Sequence, residues 1–372
     1  MMTQSMERQS GAFECNVCAE RHYSHTAMRG DGRRVLFCAS CGMGMIENPP
    51  ADTSVFYQDG YYGGTAHLEV GYADYAFTAE HALLWARLLV QALIGGGRVL
   101  DVGCADGFML RGLGAAYETY GIEVNAHAAE RARQGGVTII GNDVLADLRR
   151  DEFRRHFDVI TSIATFEHVL DLRGAFRACL EALKPEGVLI FEIPLMSQTR
   201  DNKDWLEGSY EHIYYPTVRG IETLLGTFPG YSFTGFESDI KGYSSTYIGA
   251  VASDPGVFAR VEHLFRCMRQ DTPSGLNEQE SNVNVAYQVV HSFRPSPERI
   301  LALPPLIEKT CSPRLLTHLM QLWYADCTDA ANAEWYKTQA ANWKASFDNL
   351  QDVHSKQTRY LQALEESKKT DE

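Results

Sequence analysis

The sequence predicts an α/β protein built on a mostly parallel seven-stranded sheet. A small metal-stabilised ribbon precedes the sheet, and a helical region ending in a long helix follows it. Three observations carry this. From about residue 78, strand-like runs alternate with helix-like runs, the pattern of a parallel sheet covered on both faces. Two C-x-x-C pairs, "CNVC" at 15–18 and "CASC" at 38–41, stand near the start. The stretch from about 329 to 368 contains neither glycine nor proline.

Taken in order, residues 1–14 read as a flexible tail and 15–50 as the cysteine ribbon. Residues 51–77 read as an aromatic, glycine-rich connector that includes "VFYQDGYYGG". Within 78–253, "TAEHALLWARLLVQALI" repeats apolar residues at Ala82, Trp85, Leu89 and Leu93 and is ended by glycines, as a helix is. "RVLDVG" reads as a buried strand, "DGFMLRGLGAA" as a helix and "YETYGIEV" as a strand. "NAHAAERARQ" is helical, and "VTII" and "FDVITSI" are strands. "LRGAFRACLEALK" is a helix stopped by Pro185, and "GVLIFEI" a strand. "YSFTGFES" and "SSTYIGAVA" supply two late strands. Residues 254–328 give amphipathic pieces broken by prolines. In 329–372, Tyr336, Ala340, Trp343, Phe347, Leu350, Leu361 and Leu364 fall on a heptad seam interrupted by His354 and Gln357. That pattern suits a helix folded back on its own domain, a self-associating coiled coil, or a dock for a glycan-assembly partner.

The chain has 372 residues and a formal net charge of −14. A nucleic-acid partner needs a clustered excess of Lys and Arg, so this balance excludes one. The most apolar run, "VLIFEIPLM" at 188–196, contains Glu192 and is too short to span a bilayer. The polar start, "MMTQSMERQS", carries no apolar leader core, and the expected location is the cytoplasm.

The chemistry gathers at the carboxyl ends of the strands, where parallel sheets bind ligands. The first strand ends "VLDVGCADGFML". Gly103 and Gly107 allow close backbone approach, but Asp101 and Asp106 would repel a pyrophosphate and attract an amine or sulfonium. Glu123, twenty residues after Gly103, ends the second strand and can accept ribose hydroxyls. Asp143, in "GNDVLADL" after the third strand, can accept from an adenine amine. Each acid alone could be an ordinary cap; three after consecutive strands point to one cationic nucleoside ligand.

With these motifs, "GIEVN" and "FDVITSIATFEHVLD" included, residues 80–250 resemble the Rossmann-like S-adenosylmethionine-dependent methyltransferases. Ala105 stands where that family often has glycine. The resemblance implies S-adenosylmethionine as methyl donor, held by Asp101, Gly103, Cys104, Asp106 and Gly107 around the first turn, Glu123 near the ribose and Asp143 near the adenine.

Cys15, Cys18, Cys38 and Cys41 have the spacing of a four-thiolate zinc ribbon, with two disulfides as the alternative. So short a segment cannot bury a core of its own, so a structural Zn2+ would supply its folding energy. The ribbon, the following "NPP", the Tyr-rich connector and the methyltransferase motifs together are similar to sugar and surface-polysaccharide methyltransferases, and to C-methyltransferases of nucleotide-linked keto-sugars.

An acceptor hydroxyl, or a carbon beside a keto group, must lose a proton, and histidine titrates in the right range for a base. His168 in "TFEHVLD" and His212 in "GSYEHIYYP" are the candidates, beside Glu167 and Glu211. The keto-sugar C-methyltransferases carry Tyr-His-Glu-His where this chain has Ser209–Tyr210–Glu211–His212. The expectation is therefore O-methylation of a sugar hydroxyl in glycan or surface-polysaccharide assembly. The acceptor would be a sugar, nucleotide-sugar or glycan. C-methylation of a keto-sugar and a non-catalytic scaffold are the alternatives, and a divalent ion held by carboxylates such as Asp201 is compatible with either enzyme.

Overall fold

A computed structural model describes residues 13–57, 61–62, 75, 79, 82–196, 202–240, 244–270, 275–290 and 319–320. The larger of two compact units, Met1–Phe293, contains all the elements below. Residues 1–12 of the tail, most of the connector beyond Tyr57, Asp201 and the long helix expected over 329–372 lie outside the described residues, and with them the proposed self-association.

Seven strands form the main sheet: β4 (Gly97–Val102), β5 (Tyr117–Ile122), β6 (Thr138–Gly141), β7 (Phe157–Ile163), β8 (Leu183–Leu195), β10 (Ser232–Ile240) and β11 (Ser244–Ala252). Their order is β10-β11-β8-β7-β4-β5-β6. Pairing is parallel from β6 to β8, while β11 runs antiparallel to both its neighbours. This is the Rossmann-like arrangement expected from the alternation of runs. Val99, Leu100, Val159, Ile160, Leu189 and Ile190 are fully buried, because helices cover both faces of a parallel sheet. The chain leaves β4 for β5 and β6 on one side and returns to β7 and β8 on the other. The strand order therefore reverses between β4 and β7, and a crevice opens there at the carboxyl ends.

The helices are α1 (Leu84–Leu93), α2 (Phe108–Arg111), α3 (Ala126–Gln134), α4 (Val144–Leu148), α5 (Leu172–Ala182), α6 (Lys203–Glu207), α7 (Val218–Leu225), α8 (Pro255–Met268) and α9 (Glu278–Val290). Side-chain caps begin several of them. Asn125, Asp143, Asp171, Thr217 and Asp254 each accept from a first-turn amide. Two expectations are corrected. The helix read over "DGFMLRGLGAA" is a single turn, ended by Gly112. The helix read as running to Pro185 ends at Ala182, and Pro185 lies inside β8, because the residue before a proline disfavours helical backbone and Leu183 pairs with Phe157.

The cysteine-bearing segment forms a second sheet. Its strands β1 (Tyr23–Met28), β2 (Arg34–Cys38) and β3 (Gly44–Ile46) are antiparallel, and the fourth, β9 (Tyr214–Tyr215), comes from "GSYEHIYYP". Gly44 opposes Tyr215, and a Cβ on Gly44 would lie 2.8 Å from the Tyr215 carbonyl, so the close pairing requires glycine. Val17, Val35, Phe37, Met43 and Ile46 are buried in one cluster with Phe166, Phe176, Tyr214 and Tyr215. The ribbon thus shares the core of the main sheet. Among the described residues, no helix is long and apolar enough to cross a membrane.

Candidate active site

The crevice is a cavity of about 500 Å³ above the β4–β7 switch point. Its floor begins at the turn after β4. Gly103 has φ +78°, and a Cβ there would lie 2.2 Å from the Thr165 hydroxyl, so only glycine fits. Ala105 also takes a positive φ, +45°. Its amide donates to Glu123 Oε2 at 2.8 Å, and the Asn125 amide donates to Oε1 at the same distance. The strained turn is therefore held by the carboxylate that ends β5. Asn125 Nδ2 donates to the Tyr57 carbonyl at 2.7 Å, which ties the connector over the same edge.

The acids expected to meet a cationic ligand are placed unevenly. Glu123 and Asp143 line the cavity, as does Gly103. Asp143 also caps α4, accepting from the amides of Leu145 and Ala146. Asp101 lies at the end of β4, 4% exposed, with the Thr161 hydroxyl donating to Oδ1 at 2.6 Å. Burial, offset in part by that bond and aided by Glu123, pushes its pKa up to about 7. Asp106 is outside the cavity lining and forms a two-bond pair with Arg131, at 2.9 and 2.8 Å. Cys104 is a buried thiol raised well above its usual range by burial. Gly107 has φ +77° and caps α2.

On the other side of the cavity, two loops bring together four ionisable groups. The turn after β7 carries Glu167 and His168; the loop before β9 carries Glu211 and His212. The Ile213 amide donates to the Glu167 carbonyl at 2.8 Å and locks the loops together. His168 Nε2 lies 3.2 Å from Glu167 Oε1, and His212 Nε2 lies 3.9 Å from the same oxygen. The two imidazole rings sit edge to face, 4.9 Å apart. Glu167 is fully buried, and apart from that ion pair neither of its oxygens has a hydrogen-bond partner among the described residues. Tyr61 donates to Glu211 Oε1 at 3.4 Å.

These neighbours drive the two histidines apart. Burial disfavours the cationic form of His168, but Glu167, with help from Glu211, outweighs it and the pKa is raised. Burial, then the charges of His168 and Arg29, lowers His212 well below the usual imidazole range. At neutral pH His212 is therefore an uncharged imidazole able to accept a proton, beside a His168 whose cationic form Glu167 favours. Burial raises Glu211, and raises Glu192 to about 8 despite its bond from Thr246, so Glu192 can donate as well as accept. Glu192 also lines the cavity and was not anticipated as a site residue. Its position in a continuous apolar run, "VLIFEIPLM", was the available clue.

Among the described residues three groups of side chains could hold a metal ion, one of them, His263, Cys267 and Glu280, away from the cavity. The sulfurs of Cys15, Cys18, Cys38 and Cys41 lie within 4.8 Å of one another. They are free thiols, and a hydrogen bond from Cys41 lowers Cys15 to about 5 while that bond raises Cys41 and burial raises Cys38; four sulfurs so grouped suit a tetrahedral soft cation. The donor atoms of Glu167, His168 and His212 are grouped as tightly.

Residues 73–228 match the sequence profile of a family described as a methyltransferase domain. An ubiquinone biosynthesis O-methyltransferase of Shewanella sp. (strain ANA-3) is 31% identical over 143 residues, covering 37% of this chain and 54% of the relative. The enzyme of the same description from Idiomarina loihiensis is 32% identical over 129 residues, covering 32% and 50%. The chain spans about half the length of the curated relatives it matches. Among solved structures, a SAM-dependent methyltransferase from Thermotoga maritima aligns with a TM-score of 0.38 at 17% identity, over 48% of this chain and 93% of that one.

Proposed function

We propose that this chain is an S-adenosylmethionine-dependent methyltransferase that methylates a hydroxyl oxygen, with a sugar as the preferred acceptor class. The observation that carries the reading is the division of one cavity into two chemically different ends. The Glu123 carboxylate lines the switch-point end, with Asp101 buried at the end of β4 outside the lining; the His168 and His212 imidazoles, driven in opposite directions, line the other.

S-adenosylmethionine supplies an electrophilic methyl group on a sulfonium. Asp101, Gly103, Glu123 and Asp143 are the residues that would hold it. A cation suits Asp101 because it relieves the cost of burying that carboxylate, and Gly103 leaves backbone rather than side chain at the turn. His212 accepts the acceptor's hydroxyl proton. Glu167 and His168 keep that imidazole oriented. Tyr61 and Glu211 close the same wall. Methyl transfer is an in-line displacement, so most of what such a wall contributes is alignment of the hydroxyl.

The acceptor end favours a polyol. Glu167, Glu192, Glu211, Ser209 and Thr246 line it beside the rings of Tyr61 and Trp205, a mixture that hydrogen-bonds hydroxyls and stacks on a sugar face. A hydroxyl of a ubiquinone-biosynthesis acceptor, for which catechols serve as the probe, is the second reading, favoured by the names of the curated relatives. The Cys15–Cys18–Cys38–Cys41 set would hold a structural Zn2+, closed to substrate because all four positions are sulfur. The deciding experiment is methyl transfer from labelled S-adenosylmethionine to panels of nucleotide-sugars, glycan fragments and catechols. Label on a sugar oxygen supports the first reading and label on a catechol the second. Label on carbon, with solvent deuterium exchanged into a keto-sugar, overturns O-methylation.

A further inference from the structure

We propose that Arg29, in the cysteine-bearing ribbon, is a positioning residue for His212, so that the ribbon works as part of the catalytic wall; this rests on the reading of His212 as the base. Arg29 follows β1 and is 2% exposed. Its guanidinium reaches across to the loop that carries Glu211 and His212. Nη2 donates to the Tyr210 carbonyl at 2.8 Å, and Nη1 donates to the His212 carbonyl at 2.9 Å and to the Tyr215 hydroxyl at 3.2 Å. Asp31 takes Nε at 3.1 Å and pairs with Nη2. All five donors of the fork are thus engaged, and two of them hold the main chain on either side of Glu211.

Arginine is needed for this geometry. Lysine offers three donors from one point and cannot span two carbonyls, a phenol and a carboxylate. The rest of the ribbon reinforces the grip. The Ile46 amide donates to the Ile213 carbonyl at 2.9 Å, and the Gly30 amide donates to the Leu206 carbonyl at 2.9 Å. The Tyr210 ring lies under the guanidinium at 5.3 Å, and a Cβ on Gly30 would lie 2.3 Å from the Tyr210 hydroxyl. From the opposite side the Ile213 amide bond to Glu167 is the one nearest His212 in sequence, with Met196 and Tyr214 bonded further along at Pro216 and Leu170. The position of the imidazole relative to Glu167 is therefore set between Arg29 and the β7 turn.

The test compares Arg29→Gln and Arg29→Lys with the full-length wild-type protein. Amide hydrogen exchange over residues 206–215 should quicken by about tenfold in Arg29→Gln, while exchange over the β4 and β5 turns stays unchanged. With an acceptor in hand, kcat should fall by about 100-fold, the cost of roughly an ångström of misplacement. The acceptor KM and the S-adenosylmethionine affinity should hold within about twofold, as expected when only the reacting geometry is lost. Arg29→Lys should give the same split with smaller losses, and it decides the matter if Arg29→Gln fails to fold. Unchanged exchange over 206–215 overturns the proposal, as does a kcat loss matched by loss of cofactor affinity and thermal stability. The exchange experiment needs no substrate. If His212→Ala leaves turnover intact while Arg29→Gln still loosens 206–215, it is the assignment of the base that has failed.

Discussion

Replacing Asp101 by asparagine should stabilise the ligand-free protein at alkaline pH while weakening its hold on S-adenosylmethionine. The carboxyl titrates near 3.8 when exposed and near 7 when buried at the end of β4. The folded state binds this proton more tightly than the unfolded chain does. Native stability therefore declines as pH rises from about 4 to about 7, and the deficit persists above 7. Three units at 1.36 kcal/mol each give about 4 kcal/mol as the upper bound of that deficit. Asparagine has the same shape, can still accept from Thr161, and carries no charge to desolvate. Unfolding at pH 8 should thus show a gain of up to about 4 kcal/mol that vanishes at pH 4. The same change removes the buried anion at the end of β4 proposed to attract the cationic donor, so affinity should fall by roughly 10- to 100-fold, the worth of a charged hydrogen bond. Titration calorimetry in two buffers of different ionisation heat adds a second readout. Wild-type protein should release about half a proton on binding at pH 7, because half the carboxyls are protonated beforehand. The variant should release none. Equal affinities with no proton release in either protein would refute the placement of the donor beside Asp101.

His212→Ala should leave cofactor affinity intact while kcat falls by roughly 10²- to 10⁴-fold, the usual worth of a general base, and unchanged turnover removes it from the mechanism. Because burial lowers His212, its base function persists below the usual imidazole range and is lost only as pH falls through the depressed value. The acid limb of kcat should therefore lie below pH 6.5, and a limb above it contradicts the assignment. Gly103→Ala must place a methyl on the Thr165 hydroxyl at a positive φ, so calorimetry should find cofactor binding abolished; retained binding would mean that the turn rearranges freely. Cys38→Ser should lower bound zinc, measured by mass spectrometry, and reduce the thermal midpoint by several degrees; zinc retained at one per chain would exclude Cys38 as a ligand.

The strands of the main sheet were legible because their signal is local: short apolar runs such as "FDVITSI" need no distant partner to be recognised. The end of β4, Glu123 and Asp143 were legible for a related reason, since a parallel sheet places the residues after each strand on one edge. What was not legible depends on contacts between segments far apart in sequence. Nothing in the periodicity of "GSYEHIYYP" indicates that Tyr214 and Tyr215 pair with Gly44 and Met45. Arg29 resembles any other turn arginine until its guanidinium is seen against the carbonyls of Tyr210 and His212. Glu167 was noticed only as a neighbour of His168; its complete burial follows from the packing of Phe166 against Phe176 and Phe191. Asp106 looked equivalent to Asp101, but Arg131 on α3 pairs with it.

The pairing of β3 with β9 also bears on synthesis. At translation rates of about 5–20 residues per second, Gly44, Met45 and Ile46 emerge many seconds before Tyr214 and Tyr215 exist. During that interval the nascent ribbon presents a bare, apolar strand margin, the kind of margin that recruits neighbouring chains on a polysome. A ribosome stalled before residue 216 would leave that margin open for as long as the stall lasts.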